Sequence, residues 1–367
     1  MLLDPRPYFA ELSDPRRETK NKLHALPDIL MIVFCAVLSG IEDWVGMAEF
    51  AREKEAWFRQ FLELPNGIPS HDTLSDVMGR LAPGVFAQAF LRWAQTALPS
   101  LAGEQICLDG KTLRGSRGKE GAAHLLSAYA AKARLVLASQ AVDGNSNEIT
   151  AIPDVLALLN LQGAVVSIDA MGCQKAIAEK IHQAGGDYVL ALKDNHPQLN
   201  EDVGLWLDTE GQKGTLAVHE TVDKGHGRIE TRRYVLSDRL DWLEQKSQWP
   251  GLQAVGRVES TRIIGEQTTT DYRYYLSSVT NLERFADAVR GHWAIENCQH
   301  WVLDVQFGED AHRARKDHSP TNLAVVRRMA LNVIRHNGTS KHSLRIRKLR
   351  ASLNDDYRFE LIFGKPA

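Results

Sequence analysis

A change of period near residue 104 constrains the fold more than any other feature of this chain. Before it, apolar residues recur at helical spacing through 28–38, 44–62, 73–81 and 84–98, interrupted by Pro65-Asn-Gly-Ile-Pro69 and Pro83-Gly84. After it, short strand-like runs at 105–108, 125–131, 135–142, 164–168 and 187–192 alternate with helical patterns at 152–160, 174–184 and 198–208. The order β-β-β-α-β-α-β-α specifies an α/β chain with a mixed sheet: an antiparallel trio, then parallel strands added through right-handed crossovers.

Four further runs, at 215–222, 228–236, 253–264 and 268–276, are rich in β-branched and aromatic residues and read as a β insertion with glycine turns. Helical spacing returns at 282–304 and at 320–336, the latter opened by Ser319 as N-cap and Pro320 at the first position and closed by Gly338. The expected division is a helical unit at 1–100, a first sheet unit at 101–210, the insertion at 211–280, helices at 281–338 and a basic tail at 339–367. Residues 70–81 and 85–93 fit either a helix-turn-helix or a plain helical hairpin, since only Arg92 would offer a groove a positive charge.

Composition removes several classes. The 367 residues, 44% hydrophobic and 25% charged, have the makeup of a core-forming protein of two or three units, not a disordered or collagen-like one. The longest apolar run, Ile29 to Leu38, is shorter than the roughly 20 residues needed to cross a bilayer and reads as a buried helix. The first residues lack an export signal, which sets the expected compartment as the cytoplasm. Cys35, Cys107, Cys173 and Cys298 are too widely spaced for a Cys-x-x-Cys site and are expected as reduced thiols. Net charge is −2, yet residues 311–350 hold eleven Lys and Arg against one acid, Asp317, leaving 33 basic and 45 acidic residues elsewhere. This local charge of +10 against −12 fits a polyanionic partner, and equally a solvated face or a neighbouring acidic surface.

Two acids end strands: Asp109 in Leu108-Asp-Gly-Lys-Thr-Leu-Arg-Gly115 and Asp169 in Ser167-Ile-Asp-Ala-Met-Gly-Cys-Gln174. Ends of central strands are where ligand crevices open, and two close carboxylates repel unless they share a proton or hold hard cations. Singly, Asp109 reads as a turn residue and Asp169 as a helix N-cap. A third acid, Glu296, lies in a helical pattern whose spacing of four puts His292, Glu296 and His300 on one face, beside Trp293, Asn297 and Trp301. Taken locally, this is either a metal-binding face or the exposed edge of an amphipathic helix.

The ordered motifs Leu-Asp-Gly-Lys-Thr-Leu-Arg-Gly (108–115), Ser-Asn-Glu-Ile (146–149), Ile-Asp-Ala-Met-Gly-Cys-Gln (168–174), His-Gly-Arg-Ile-Glu (226–230) and His-Trp-Ala-Ile-Glu-Asn (292–297) resemble the DDE transposases of bacterial insertion sequences. The similarity covers nearly the whole chain and points to the branch with the H-repeat-associated proteins. It implies an RNase H-like core in which Asp109, Asp169 and Glu296 are catalytic and hold two Mg²⁺ or Mn²⁺ ions. The separation of 127 positions between Asp169 and Glu296 is accommodated by the β insertion that members of the group carry there. One departure is visible: Val289, His292 and Leu303 stand where the broader group often has Tyr, Arg and Lys around the glutamate. Lys111, Arg290 and His292 are the candidates to supply the missing positive charge, with Arg114 beside them.

The resemblance implies cleavage of element ends by water, transfer of the freed 3′-hydroxyl into target DNA, and a homodimer to hold two ends. Arg328, Asn332 and Arg335 are expected as a phosphate-contacting stripe opposite Leu323, Val326 and Ala330, extended by Arg345 and Arg347 in the tail. His226 and Arg228 are read either as DNA contacts or as turn residues, and Trp242 and Trp249 as core aromatics or base-stacking platforms. Competing readings are a DNA-binding relative without catalysis, a Mg²⁺-dependent nuclease without strand transfer, and zinc hydrolysis through His292, Glu296 and His300.

Overall fold

The structure is a computed structural model that describes residues 2, 4–20, 22–118, 121–142, 147–225, 227–338 and 340–364. Strands β1 (Gln105–Thr112), β2 (His124–Ala130) and β3 (Leu135–Val142) form the antiparallel trio, while β4 (Val165–Ile168) and β5 (Asp187–Leu192) add in parallel beside β1. Helices α7 (Glu148–Ala157) and α8 (Lys175–Gln183) make the crossovers, and α9 (Pro197–Gln212) leads out of β5.

The insertion does not stand apart. Its strands β6 (Val218–Gly225), β7 (Arg228–Ser237), β8 (Ala254–Ile264) and β9 (Gln267–Ser277) form an antiparallel meander that joins the same sheet, β9 pairing with β5 from Val189↔Ser277 to Leu192↔Tyr274. The strand order is β3-β2-β1-β4-β5-β9-β8-β7-β6. This mixed α/β architecture agrees with the strand and helix order read from the sequence.

Two apolar layers cover the sheet. On one face α10 (Leu282–Ala294) buries Phe285, Ala288 and Val289 against Val165, Val189, Val258 and Tyr275. The other layer joins the sheet to the N-terminal helices α1 (Arg6–Ala10), α2 (Leu26–Leu38), α3 (Trp44–Glu53), α4 (Glu55–Phe58), α5 (His71–Arg80) and α6 (Pro83–Gln95). In α2 every residue from Asp28 to Leu38 is buried, in keeping with the ten-residue apolar run, each large side chain contributing roughly 1.5–3 kcal/mol. Helix α6 turns Phe86, Phe90 and Trp93 inward, and its Arg92 pairs with Glu11 at 2.8 Å. Among the described residues no helix is long and apolar enough to cross a membrane.

Helix α12 (Ser319–His336) corrects the sequence reading of its polar stripe. It runs through the middle of the molecule with every residue from Ser319 to Ile334 buried, and the position before its first turn is held by His318 and not Ser319, without a side-chain capping bond. Arg328 is fully buried and bonds to Glu309 Oε1 at 2.7 Å and to its own helix at Ala324 O, 3.0 Å. Asn332 accepts from Val136 N at 2.9 Å and donates to Val136 O at 2.8 Å, which completes the outer edge of β3 as a neighbouring strand would. Arg335 donates to Cys298 O and lies 3.5 Å from Tyr129 Oη. The stripe expected to meet phosphates therefore satisfies polar groups inside the protein, as buried polar side chains must.

Part of the basic tail is also interior. Helices α13 (Leu344–Leu353) and α14 (Asp355–Phe363) pack on α12, and Arg347 is buried against Asn337 O and Tyr357 Oη, so it too is withdrawn from DNA. Arg345 stays exposed on α13. Trp249 is buried edge-on to His196, and Trp242 stacks on Trp206 at 5.0 Å, so both serve packing. Cys35, Cys107 and Cys173 are buried free thiols pushed up to about 12 by burial, and Cys298 is a half-buried free thiol.

Candidate active site

The register of two parallel strands sets the geometry. β1 and β4 pair up to Leu108↔Ile168, so Asp109 and Asp169 each come one step past the last paired residue, on neighbouring strands and on the face that α10 covers. Both line one cleft of about 640 Å³, whose far wall is formed by His292, Trp293, Ile295 and Glu296. The three acids singled out in the sequence thus border a single opening at the ends of the central strands.

Glu296 reaches this cleft from an unusual turn. Between α10 and α11 (Trp301–Phe307) the chain forms a π-helix, Ile295–His300. The wider i→i+5 turn breaks the spacing of four assumed for residues 292, 296 and 300. Glu296 emerges exposed into the cleft, His300 is buried with Nδ1 3.4 Å from Asp109 Oδ2, and His292 is held by Ser167 Oγ at 3.1 Å. The metal-binding face, one of the two readings of this spacing, is not formed among the described residues.

Burial and mutual repulsion control the charges. Burial first, then the negative charges of Asp169, Glu148 and Glu296, push the Asp109 carboxyl up to about 7, against the hydrogen bond it accepts from Gly110 N at 2.9 Å. Burial and Glu148 raise Asp169 as well, while it accepts from Gly172 N at 3.3 Å. Burial depresses His292 to about 4 and His300 to about 3, so both rings are neutral near pH 7. With the ring neutral, the 3.4 Å approach of His300 to Asp109 is not an ion pair. His292 is corrected as a source of positive charge for the same reason.

Comparison with known proteins bears on what such a site is for. The family model described as Transposase DDE domain matches residues 101–333, and the DDE_Tnp_1-associated model matches residues 7–94. The chain belongs to the DDE transposase family. It is 36% identical over 361 residues to the "H repeat-associated putative transposase YhhI" of Escherichia coli, covering 95% of each chain. It is 51% identical over 285 residues to the "Uncharacterized protein in dhlA 3'region" of Xanthobacter autotrophicus, covering 76% of this chain and 96% of that one. A short relative, the "Inactive transposase YbfQ" of Escherichia coli, matches at 36% over 64 residues, 17% of this chain.

The basic residues of this DDE family member divide by their neighbours. Lys111 is buried, its ammonium 2.7 Å from Asp304 and 3.5 Å from Asp310, so its charge is spent within the fold and it is corrected as a DNA contact. Arg114 is exposed in a short turn, 3.5 Å from Asp310. Arg228, Arg262, Arg273 and Arg290, each about half exposed, line a second cleft of about 380 Å³ with the more buried Arg232. They pair with Glu230 (Arg228 at 3.8 Å, Arg262 at 3.4 Å), Asp271 (Arg273 at 3.0 Å) and Asp223 (Arg290 at 3.2 Å). This cleft adjoins the first through Trp293 and Arg273, the guanidinium of Arg273 lying 5.1 Å from the Trp293 ring. His226 lies outside the described residues.

The donor set suits a hard divalent cation. Asp109, Asp169 and Glu296 offer oxygen ligands only, and among the described residues no Lys or Arg side chain pairs with any of them. Among the described residues, no three His, Cys, Asp or Glu side chains already stand within reach of one ion. The sequence reading missed Glu148, which sits beside both aspartates. Its signal lay in Ser146-Asn-Glu-Ile149, but apolar periodicity begins α7 only at 152, one turn too late.

Proposed function

We propose that the protein is a metal-dependent DNA transposase that cuts the ends of its element and joins the freed 3′-hydroxyls to target DNA. The observation that carries this is the meeting of Asp109, Asp169 and Glu296 at one cleft, beside a second cleft lined with arginines. The order β3-β2-β1-β4-β5, three antiparallel strands followed by two parallel crossovers, supports an RNase H-like core.

Asp109 and Asp169 are fixed by the parallel register and by their backbone hydrogen bonds, and Glu296 is presented by the π turn. These three would hold Mg²⁺ or Mn²⁺, which when bound supplies polarisation of the phosphodiester and an activated oxygen nucleophile. His300 steadies Asp109 from behind. Arg228, Arg262, Arg273 and Arg290 neutralise phosphates of the strand entering the cleft, and the exposed Arg114 and Arg345 extend that contact across the surface. Since two element ends must be joined, the working form is a homodimer acting on DNA in the cytoplasm.

Purified protein incubated with Mg²⁺ or Mn²⁺ and labelled duplexes carrying the sequences that flank its own gene tests the reading. The expected result is cleavage at the flank and covalent joining of the cut end to a second duplex. Cleavage without joining would make the protein a nuclease, and binding without cleavage a non-catalytic relative.

A further inference from the structure

The candidate site carries a fourth carboxylate that the three-acid reading leaves without a role. Alternation along β1 turns Asp109 toward α10 and Gly110 toward the opposite face. On that face Glu148, the first residue of α7, lays its carboxylate directly over Gly110. A Cβ at position 110 would stand 2.0 Å from Glu148 Oε1 and 2.5 Å from His124 Nε2, so the glycine is what makes room for this pair.

His124 fixes the carboxylate. It begins β2 opposite Thr112, and its ring spans from Thr112 Oγ1, 2.9 Å from Nδ1, to Glu148 Oε1, 2.7 Å from Nε2. Glu148 is 14% exposed, and among the described residues its one ion-pair partner is His124. Because β4 ends at Ile168, no paired strand lies beyond it to separate Glu148 from the acids at the strand ends. Its charge is felt by both Asp109 and Asp169. A carboxylate kept this close to two others, with a glycine cleared for it and a histidine to aim it, costs the cation-free fold repulsion that a bound divalent cation would relieve.

We infer that Glu148 is a fourth carboxylate of the cation site, with His124 as its positioning residue and Gly110 as the gap that admits it. The inference rests on the metal-dependent reading given above. It adds a group from the far face of the sheet to the two strand-end aspartates and Glu296.

The test is Mn²⁺ titration of the metal-free full-length protein, with free Mn²⁺ read by electron paramagnetic resonance and melting curves recorded alongside. Glu148→Gln is expected to weaken Mn²⁺ binding at least about tenfold. It should not lower the melting temperature of the metal-free protein, because the charge removed is one its neighbours repel. A merely structural His–Glu pair would give the reverse, unchanged Mn²⁺ binding and a lower melting temperature. His124→Asn should give a smaller loss of affinity. The inference is overturned if Glu148→Gln binds Mn²⁺ as the parent does while Asp169→Asn loses it. Should the parent bind no Mn²⁺, or Asp169→Asn bind it normally, the metal-dependent reading fails and the inference with it. If Glu148→Gln does not fold, Glu148→Asp decides: a shortened carboxylate with weakened binding supports the inference, and unaltered binding overturns it.

Discussion

Replacing Asp109 or Asp169 by asparagine is expected to cut strand cleavage by at least about a thousandfold, on the order of 4 kcal/mol of transition-state stabilisation. Asparagine keeps the volume and can still accept from Gly110 N or Gly172 N, so the strand ends and their backbone hydrogen bonds survive. What is lost is the negative charge needed to hold a cation. Glu296→Gln should behave alike from the opposite wall of the cleft. Duplex binding should remain near the parental level in all three, because the arginines proposed to meet phosphates line the neighbouring cleft and not this one. Nicking of a labelled flank duplex and gel-shift titration measure the two effects separately. Full cleavage by any of the three would remove that residue from the mechanism.

The second large effect concerns stability. Arg328 and Glu309 are both fully buried and 2.7 Å apart, with Ser127 Oγ and Ala324 O as further partners of the guanidinium. Arg328→Met should destabilise the fold by roughly 3–5 kcal/mol, since Glu309 would be left as an unpaired buried charge. Adding Glu309→Leu to that variant should restore much of the loss, because two apolar groups of similar size leave no orphaned charge behind. Denaturant midpoints of the parent, single and double variants read this out. Arg345→Ala, at an exposed site, should leave the midpoint alone and reduce only the salt dependence of DNA binding. A single Arg328→Met variant as stable as the parent would contradict the interior role given to this arginine.

Those two arginines show where the sequence can be read and where it cannot. The runs at 135–142 and 187–192 coincide with β3 and β5, because apolar strands bounded by turn residues declare themselves locally. Asp109 and Asp169 can be paired from the sequence alone, since each directly follows such a run. Arg328 could not be placed. A basic stripe on a helix looks identical whether it meets DNA or a glutamate 19 residues away, and the polar face of α12 is satisfied by Glu309 and the edge of β3, neither of which periodicity reveals. The π turn escaped for a related reason: residues 282–304 show unbroken helical spacing, and the change in hydrogen bonding leaves no mark in composition. The β insertion was legible as strands, while its continuation of the main sheet depends on the β5–β9 pairing across some 85 residues of chain.

Locating the cation is the most direct test of the whole account. A crystal of the protein soaked in Mn²⁺ and measured for anomalous scattering should show manganese in the cleft bordered by Asp109, Asp169 and Glu296, and no manganese there in an Asp169→Asn crystal. Manganese bound elsewhere, with that cleft left vacant at saturating Mn²⁺ in the parent protein, would contradict it.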